Sequence, residues 1–235
     1  MPMTAAHPMA VLPLRRTNLD WTCLVIGSMA PDFDYFLRIE HASPFSHTLT
    51  GMFVFCLPVT LLWAWLFHRV IKRPFVHVMP ASVGARMAVF AERPWHFTAG
   101  CIVAALAGTL THLAWDSFTH FEMWGPRHIA WLREGVTVPI LGRTVWCRVL
   151  QHASTIVGLV VLGIAAWRAL ARVQPRPIVP ATLGMRLVWV VCIAIAGALS
   201  FVRIYMVNAL DIGSIVVAII DAGLFGGLAA SLITR

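Results

Sequence analysis

The chain of 235 residues is 59% hydrophobic and only 12% charged, with a mean hydropathy of +0.80; soluble domains carry about 25% charged residues. That composition excludes an ordinary soluble domain and predicts an all-α, polytopic integral membrane bundle. The formal charge of +8 invites a nucleic-acid reading, but all but one of the 18 basic residues are arginines scattered between apolar runs, with no basic stripe interleaved with aromatics. The positive-inside effect explains the charge, and no nucleic-acid partner is expected.

At the N-terminus the first apolar run is short, contains Pro8 and Pro13, and is followed rather than preceded by Arg15 and Arg16, so no cleavable signal peptide is expected. Residues 4 to 31 are too broken for one span, because Arg15, Arg16, Asn18 and Asp20 would sit near the bilayer centre, at roughly 2.5 to 3.5 kcal/mol per charge. They read instead as a re-entrant helical hairpin. Residues 8 to 15 descend, Arg16 to Asp20 turn and Trp21 to Ala30 return, packed against other helices. Pro31-Asp32-Phe33-Asp34 then ends the helix and brings a pair of acids toward the surface that holds His7.

Ser46-His47-Thr48 precedes Leu49 to Phe67, a run without a charged residue and of the length that spans about 30 Å of hydrocarbon. Ser46 or Thr48 is a candidate helix cap. Residues 68 to 95 carry Arg69, Lys72, Arg73, Arg86 and Arg93 against Glu92 alone, with Pro74, Pro80 and Pro94, and read as a cytoplasmic loop. Phe97 to Trp115 is the second span, rich in alanine and glycine that let helices approach closely. Residues 121 to 151 form an outer loop whose Trp124, Trp131 and Trp146 suit the interfacial belt. A third span covers about residues 153 to 170 and starts beside His152. Arg168, Arg172, Arg176 and Arg186 mark a second cytoplasmic loop. Two further spans, about 187 to 208 and 212 to 234, join at Asn208 to Asp211 and place the C-terminus in the cytoplasm. Arg203 and Asp221 lie inside this last pair, where a structural ion pair is expected, and Gly223 and Gly227 predict close packing. About five spans plus the hairpin thus form a single integral membrane domain over 1–235. Its parts are the hairpin and acidic turn (1–48), the core spans (49–171) and the C-terminal hairpin (172–235).

The chemistry gathers at the end of the second span. His112, Asp116 and His120 recur every fourth residue, and on a helix at about 100° per residue they share one face. Imidazole nitrogen and carboxylate oxygen suit zinc and other first-row metals, although the same residues also serve as caps and hydrogen-bonded pairs. Charge bias places residues 68 to 95 and 168 to 186 in the cytoplasm. Alternation of the spans then sends Asp32, Asp34, His47, His112, Asp116, His120 and His152 to the outer face, joined by His7 through the hairpin. His68, His77 and His96 fall on the opposite side. The five cysteines show no C-x-x-C spacing and read as small hydrophobes.

Met1 to Pro8, Pro31-Asp32-Phe33-Asp34-Tyr35, Phe45-Ser46-His47-Thr48, the stretch from His112 to His120 and Gln151-His152-Ala153-Ser154-Thr155 together resemble the bacterial membrane family described as domain of unknown function 4184. More distantly, the early His, the Pro-Asp-x-Asp turn, the Ser/Thr-flanked His and the His-x-x-x-Asp pair resemble inner-membrane metal-dependent hydrolases, and their order is similar to that of zinc-dependent phospholipases C. The chain lacks the downstream His-x-x-x-Glu pair of those phospholipases. The resemblance implies His7, Asp32, His47, His112 and Asp116 as ligands of a divalent metal, zinc first, with His120 as a further candidate. The function expected is a metal-dependent hydrolase in a bacterial inner membrane, with Asp34 or His120 moving protons and a lipid or lipid-linked substrate at the outer face. The alternative is a non-catalytic membrane protein whose polar residues only hold helices together.

Overall fold

A computed structural model describes residues 4–37, 44–139, 142–206 and 212–234. Among the described residues five helices are long and apolar enough to cross a membrane: Leu49–Val78, Ala99–Thr119, Trp146–Ala171, Leu183–Met206 and Ser214–Ile233. The chain is all-α in class, and five such helices read as a multi-pass membrane protein. The expected turn at Asn208 to Asp211 lies outside the described residues.

Two helices exceed the lengths expected of them. The first continues past Phe67 to Val78 although it contains Pro58 and Pro74. A proline inside a helix removes a hydrogen bond and drives its ring into the carbonyl four residues back, at about 3 kcal/mol. Here each proline follows a widened π turn, Met52–Cys56 before Pro58 and Phe67–Ile71 before Pro74, which moves that carbonyl aside. Residues 68 to 95 are therefore mostly helical rather than a loop, with Ala81–Ala91 forming a second segment. The Trp146–Ala171 helix starts well before residue 153, because a short antiparallel ribbon, Gly135–Val138 with Gly142–Val145, takes up the preceding chain. β-Branched residues fill the ribbon and Gly142 turns it at φ 67°.

By its internal contacts the chain divides into two units. The first comprises Met1–Phe33, Pro44–Leu61 and Phe97–Ala166. Its N-terminal hairpin consists of a 3-10 helix, Thr4–Arg16, and the α-helix Trp21–Gly27. The second arm runs parallel to the Ala99–Thr119 helix at backbone contact. A Cβ on Gly27 would lie 2.5 Å from the Ala105 carbonyl oxygen, and one on Gly108 would lie 2.4 Å from that of Leu24. The turn of the hairpin reaches the start of that helix, where the Asn18 carbonyl oxygen stands 3.8 Å from the place of a Gly100 Cβ. Arg15 and Arg16 are exposed at that end. The hairpin thus runs almost the whole length of its neighbour and holds both arginines at the Gly100 end of that helix.

The second unit comprises Asp34–Ser43, Leu62–His96 and Trp167–Arg235. Two of its basic residues, Arg86 and Lys72, serve the backbone. Arg86 donates to the carbonyls of Leu170 and Val173 at 3.2 and 2.8 Å, closing the end of a helix. Buried Lys72 donates to the Arg93 carbonyl at 2.7 Å, and Arg176 pairs with Glu92. Between the last two long helices the close approach occurs at Gly226, whose Cβ would meet Ile193 Cα at 2.5 Å, whereas Gly223 has open space. The wide turn Ala222–Gly226 rotates the helix face relative to a regular helix, so Gly227 packs as expected, 3.7 Å from Trp189 at its Cβ position, while Gly223 faces away. Buried Asp221 accepts a hydrogen bond from Ser200 Oγ at 3.1 Å, one turn before Arg203.

Candidate metal centre

Three pieces of chain meet at the far end of the Ala99–Thr119 helix, all within the first unit. The helix supplies His112 and Asp116 one turn apart, with Nε2 3.3 Å from Oδ2. Asp32 closes a 3-10 turn, Ala30–Asp32, that Pro31 sets directly after the hairpin. His47 ends the turn Pro44–His47. Thr48 then caps the next helix, accepting from Gly51 N at 2.9 Å. That cap forces the loop onto the helix so closely that a Cβ on Gly51 would overlap the Phe45 carbonyl oxygen at 1.8 Å.

Asp32, His47, His112 and Asp116 each offer one atom to a group in which all four lie within 4.8 Å of one another. His112 Nε2 is 3.5 Å from Asp32 Oδ1, and His47 Nε2 is 3.6 Å from both Asp32 Oδ1 and Asp116 Oδ2. Donors about 2.0 to 2.2 Å from one ion stand at about these separations from each other. The group is almost dry: Asp32 and His112 are fully buried and the His47 side chain is 10% exposed. Within it His112 Nε2 and Asp32 Oδ1 form no hydrogen bond. Buried polar atoms without partners cost free energy, and two of them aimed at a common point are what a cation would satisfy.

The outer contacts fix the inner ones. His112 Nδ1 lies 2.8 Å from the Ser28 carbonyl oxygen. A carbonyl only accepts, so Nδ1 carries a proton and Nε2 is the ring atom turned to the group, the orientation of a metal-binding histidine. His47 Nδ1 is likewise 3.0 Å from Ser46 Oγ, with Nε2 turned inward. Thr4 Oγ1 donates to Asp32 Oδ2 at 2.6 Å, which leaves Oδ1 for the group. Charges balance the burial. Burial alone would push the Asp32 carboxyl up, yet the His112 imidazole, aided by His47, holds it well below the usual carboxylate range. Burial would push His47 down, but the carboxylates of Asp116 and Asp32 raise it.

His7 stacks on His112, with ring centroids 3.9 Å apart, and its Nε2 is 3.3 Å from Asp116 Oδ1. It stands beside the four-atom group, on the other oxygen of Asp116. His120, 26% exposed, caps the helix, with Nδ1 3.2 Å from the Asp116 carbonyl oxygen and 3.6 Å from Oδ1; burial lowers its pKa. Asp34 is buried at the head of the Phe33–Leu37 helix and belongs to the second unit. His152 is exposed and His68 stacks on Trp95. Residue spacing gave no sign of the Ser28 carbonyl. Thr4 was within reach, since an early Thr three residues before a His places both side chains on one face of a 3-10 helix.

No curated protein and no solved structure matches this chain. The profile of one family, Domain of unknown function (DUF4184), matches residues 1–232, and the chain belongs to that family.

Proposed function

We propose that this protein is a membrane-embedded, metal-dependent hydrolase whose centre is held by Asp32, His47, His112 and Asp116. The carrying observation is the pair of buried atoms, His112 Nε2 and Asp32 Oδ1, that make no hydrogen bond inside a ring of alternating imidazoles and carboxylates. Two nitrogens and two carboxylate oxygens suit zinc, which expands to five donors, or iron and manganese, which take six. The chemistry supplied at such a centre is activation of water near neutral pH and polarisation of an ester or phosphoester oxygen. His7 orients Asp116 through its second oxygen. His120, kept neutral by burial and open to solvent, accepts and returns a proton at its free ring nitrogen. In a bacterial inner membrane with the arginine-rich segments and C-terminus in the cytoplasm, the centre faces outward at headgroup depth, which favours a lipid or lipid-linked substrate.

A polar network without metal is the second reading, favoured by the His7–Asp116 hydrogen bond and by the proximity of every carboxylate to an imidazole. Elemental analysis of purified protein separates the two. The wild type carries about one equivalent more divalent metal than the His112→Ala, Asp116→Ala double variant. Equal metal in both rejects the hydrolase centre and leaves the network.

A further inference from the structure

A second group of donors lies at the opposite end of the same helix pair. Asp20, Cys23 and Cys101 each place one ligand atom within 4.8 Å of the others, and both cysteines are fully buried. The parallel packing brings them together. Gly27 against Ala105 and Leu24 against Gly108 fix the register of the two helices, and in that register Cys23 stands beside Cys101. Asp20 is the cap of the Trp21–Gly27 helix, accepting from Cys23 N at 2.8 Å, so its carboxylate is held over the two sulfurs by the backbone. Thr98 Oγ1 lies 3.7 Å from Cys101 Sγ on the remaining side.

We propose that Asp20, Cys23 and Cys101 form a second metal site, selective for a thiophilic divalent ion such as zinc or cadmium. Two thiolates and one carboxylate are a soft, anionic donor set, unlike the nitrogen and oxygen set around His112. Half-exposed Asp20 provides the entry path, because the sulfurs themselves are closed to solvent. Binding releases two thiol protons and leaves a fourth position open to water or to the Thr98 hydroxyl. Cys101 and His112 are eleven residues apart on one helix, about 16 Å by helix rise, so the two sites are separate and neither needs the other. With the arginine-rich segments in the cytoplasm this end of the helix faces the reducing compartment, where thiols persist.

Cadmium titration of the purified full-length protein tests the site through the ultraviolet charge-transfer absorption of a cadmium thiolate, which His and Asp donors do not give. The wild type is expected to develop the band to saturation at about one equivalent, and the His112→Ala, Asp116→Ala variant to develop it equally. Cys23→Ser and Cys101→Ser each abolish most of it. Asp20→Asn keeps the helix cap, since asparagine caps as well as aspartate, and is expected to weaken cadmium binding about tenfold or more without changing the thermal stability of the metal-free protein. No band in the wild type overturns the site. So does a band that survives both serine substitutions, because Cys56, Cys147 or Cys192 would then be its source.

Discussion

His112 is oriented by a backbone carbonyl, and its Nε2 stands 3.5 and 3.3 Å from two carboxylates. If the group holds a metal as proposed, protons and metal compete for the same imidazoles. In the metal-free protein the raised His47 stabilises the fold fully below its unfolded value of about 6.5, and that contribution is lost as pH rises through its folded value. Asp32, held low, contributes above its unfolded value and loses its contribution only as pH falls through its folded one. Metal-free protein is thus expected to weaken as the medium becomes alkaline, while metal affinity grows by up to about tenfold per pH unit for each proton displaced. Differential scanning fluorimetry with and without zinc at about pH 6 and pH 8 measures both trends. A zinc-induced rise in Tm that is no larger at the higher pH would contradict them. At this scale the sequence was informative about donors and silent about their supports. His112 and Asp116 are four residues apart and legible, but Ser28 acts through its carbonyl, which every residue possesses.

Helix packing delivers those residues to one place. Gly27 and Gly108 let two parallel helices touch backbone to backbone, and Thr109 seals the contact with a hydrogen bond to the Gly27 carbonyl at 3.2 Å. A valine at position 108 has no space, since even a Cβ would stand 2.7 Å from Ser28 N, the backbone next to the carbonyl that holds His112. Gly108→Val is therefore expected to destabilise by about 3 kcal/mol, the upper end of overpacking costs, and to abolish metal retention. Gly223→Ala, in open space, leaves both unchanged. Denaturant unfolding in detergent, with metal content measured alongside, checks the pair. Small residues in the Ala99–Thr119 helix announced this contact. What remained hidden were the wide turns, because hydrophobic periodicity assumes an unbroken 3.6-residue repeat. One such turn carried the first long helix through Pro74, and another moved the close contact from Gly223 to Gly226. The ribbon of Gly135–Val138 and Gly142–Val145 was hidden for another reason, since strands of four residues are too short to show an alternating pattern.

For the whole molecule, hydropathy was sufficient to find five long apolar helices, and charge bias alone assigned their orientation. That orientation is open to test by alkylation of intact cells expressing His152→Cys or Pro80→Cys in a background freed of native cysteines. Both positions are exposed. Position 152 is expected to react with an impermeant maleimide from outside, and position 80 only after permeabilisation; the reverse pattern would put the candidate metal centre on the cytoplasmic side. The hairpin that begins the chain has a further consequence for biogenesis. Its arms, a proline-containing 3-10 helix and one short α-helix, rest on a helix synthesised some eighty residues later. Until that helix enters the bilayer, the opening segment has no protein surface to shield its polar groups from lipid. The hairpin therefore reaches its final depth only after the Ala99–Thr119 helix has entered, and Thr4, His7 and Asp32 take up their positions with it.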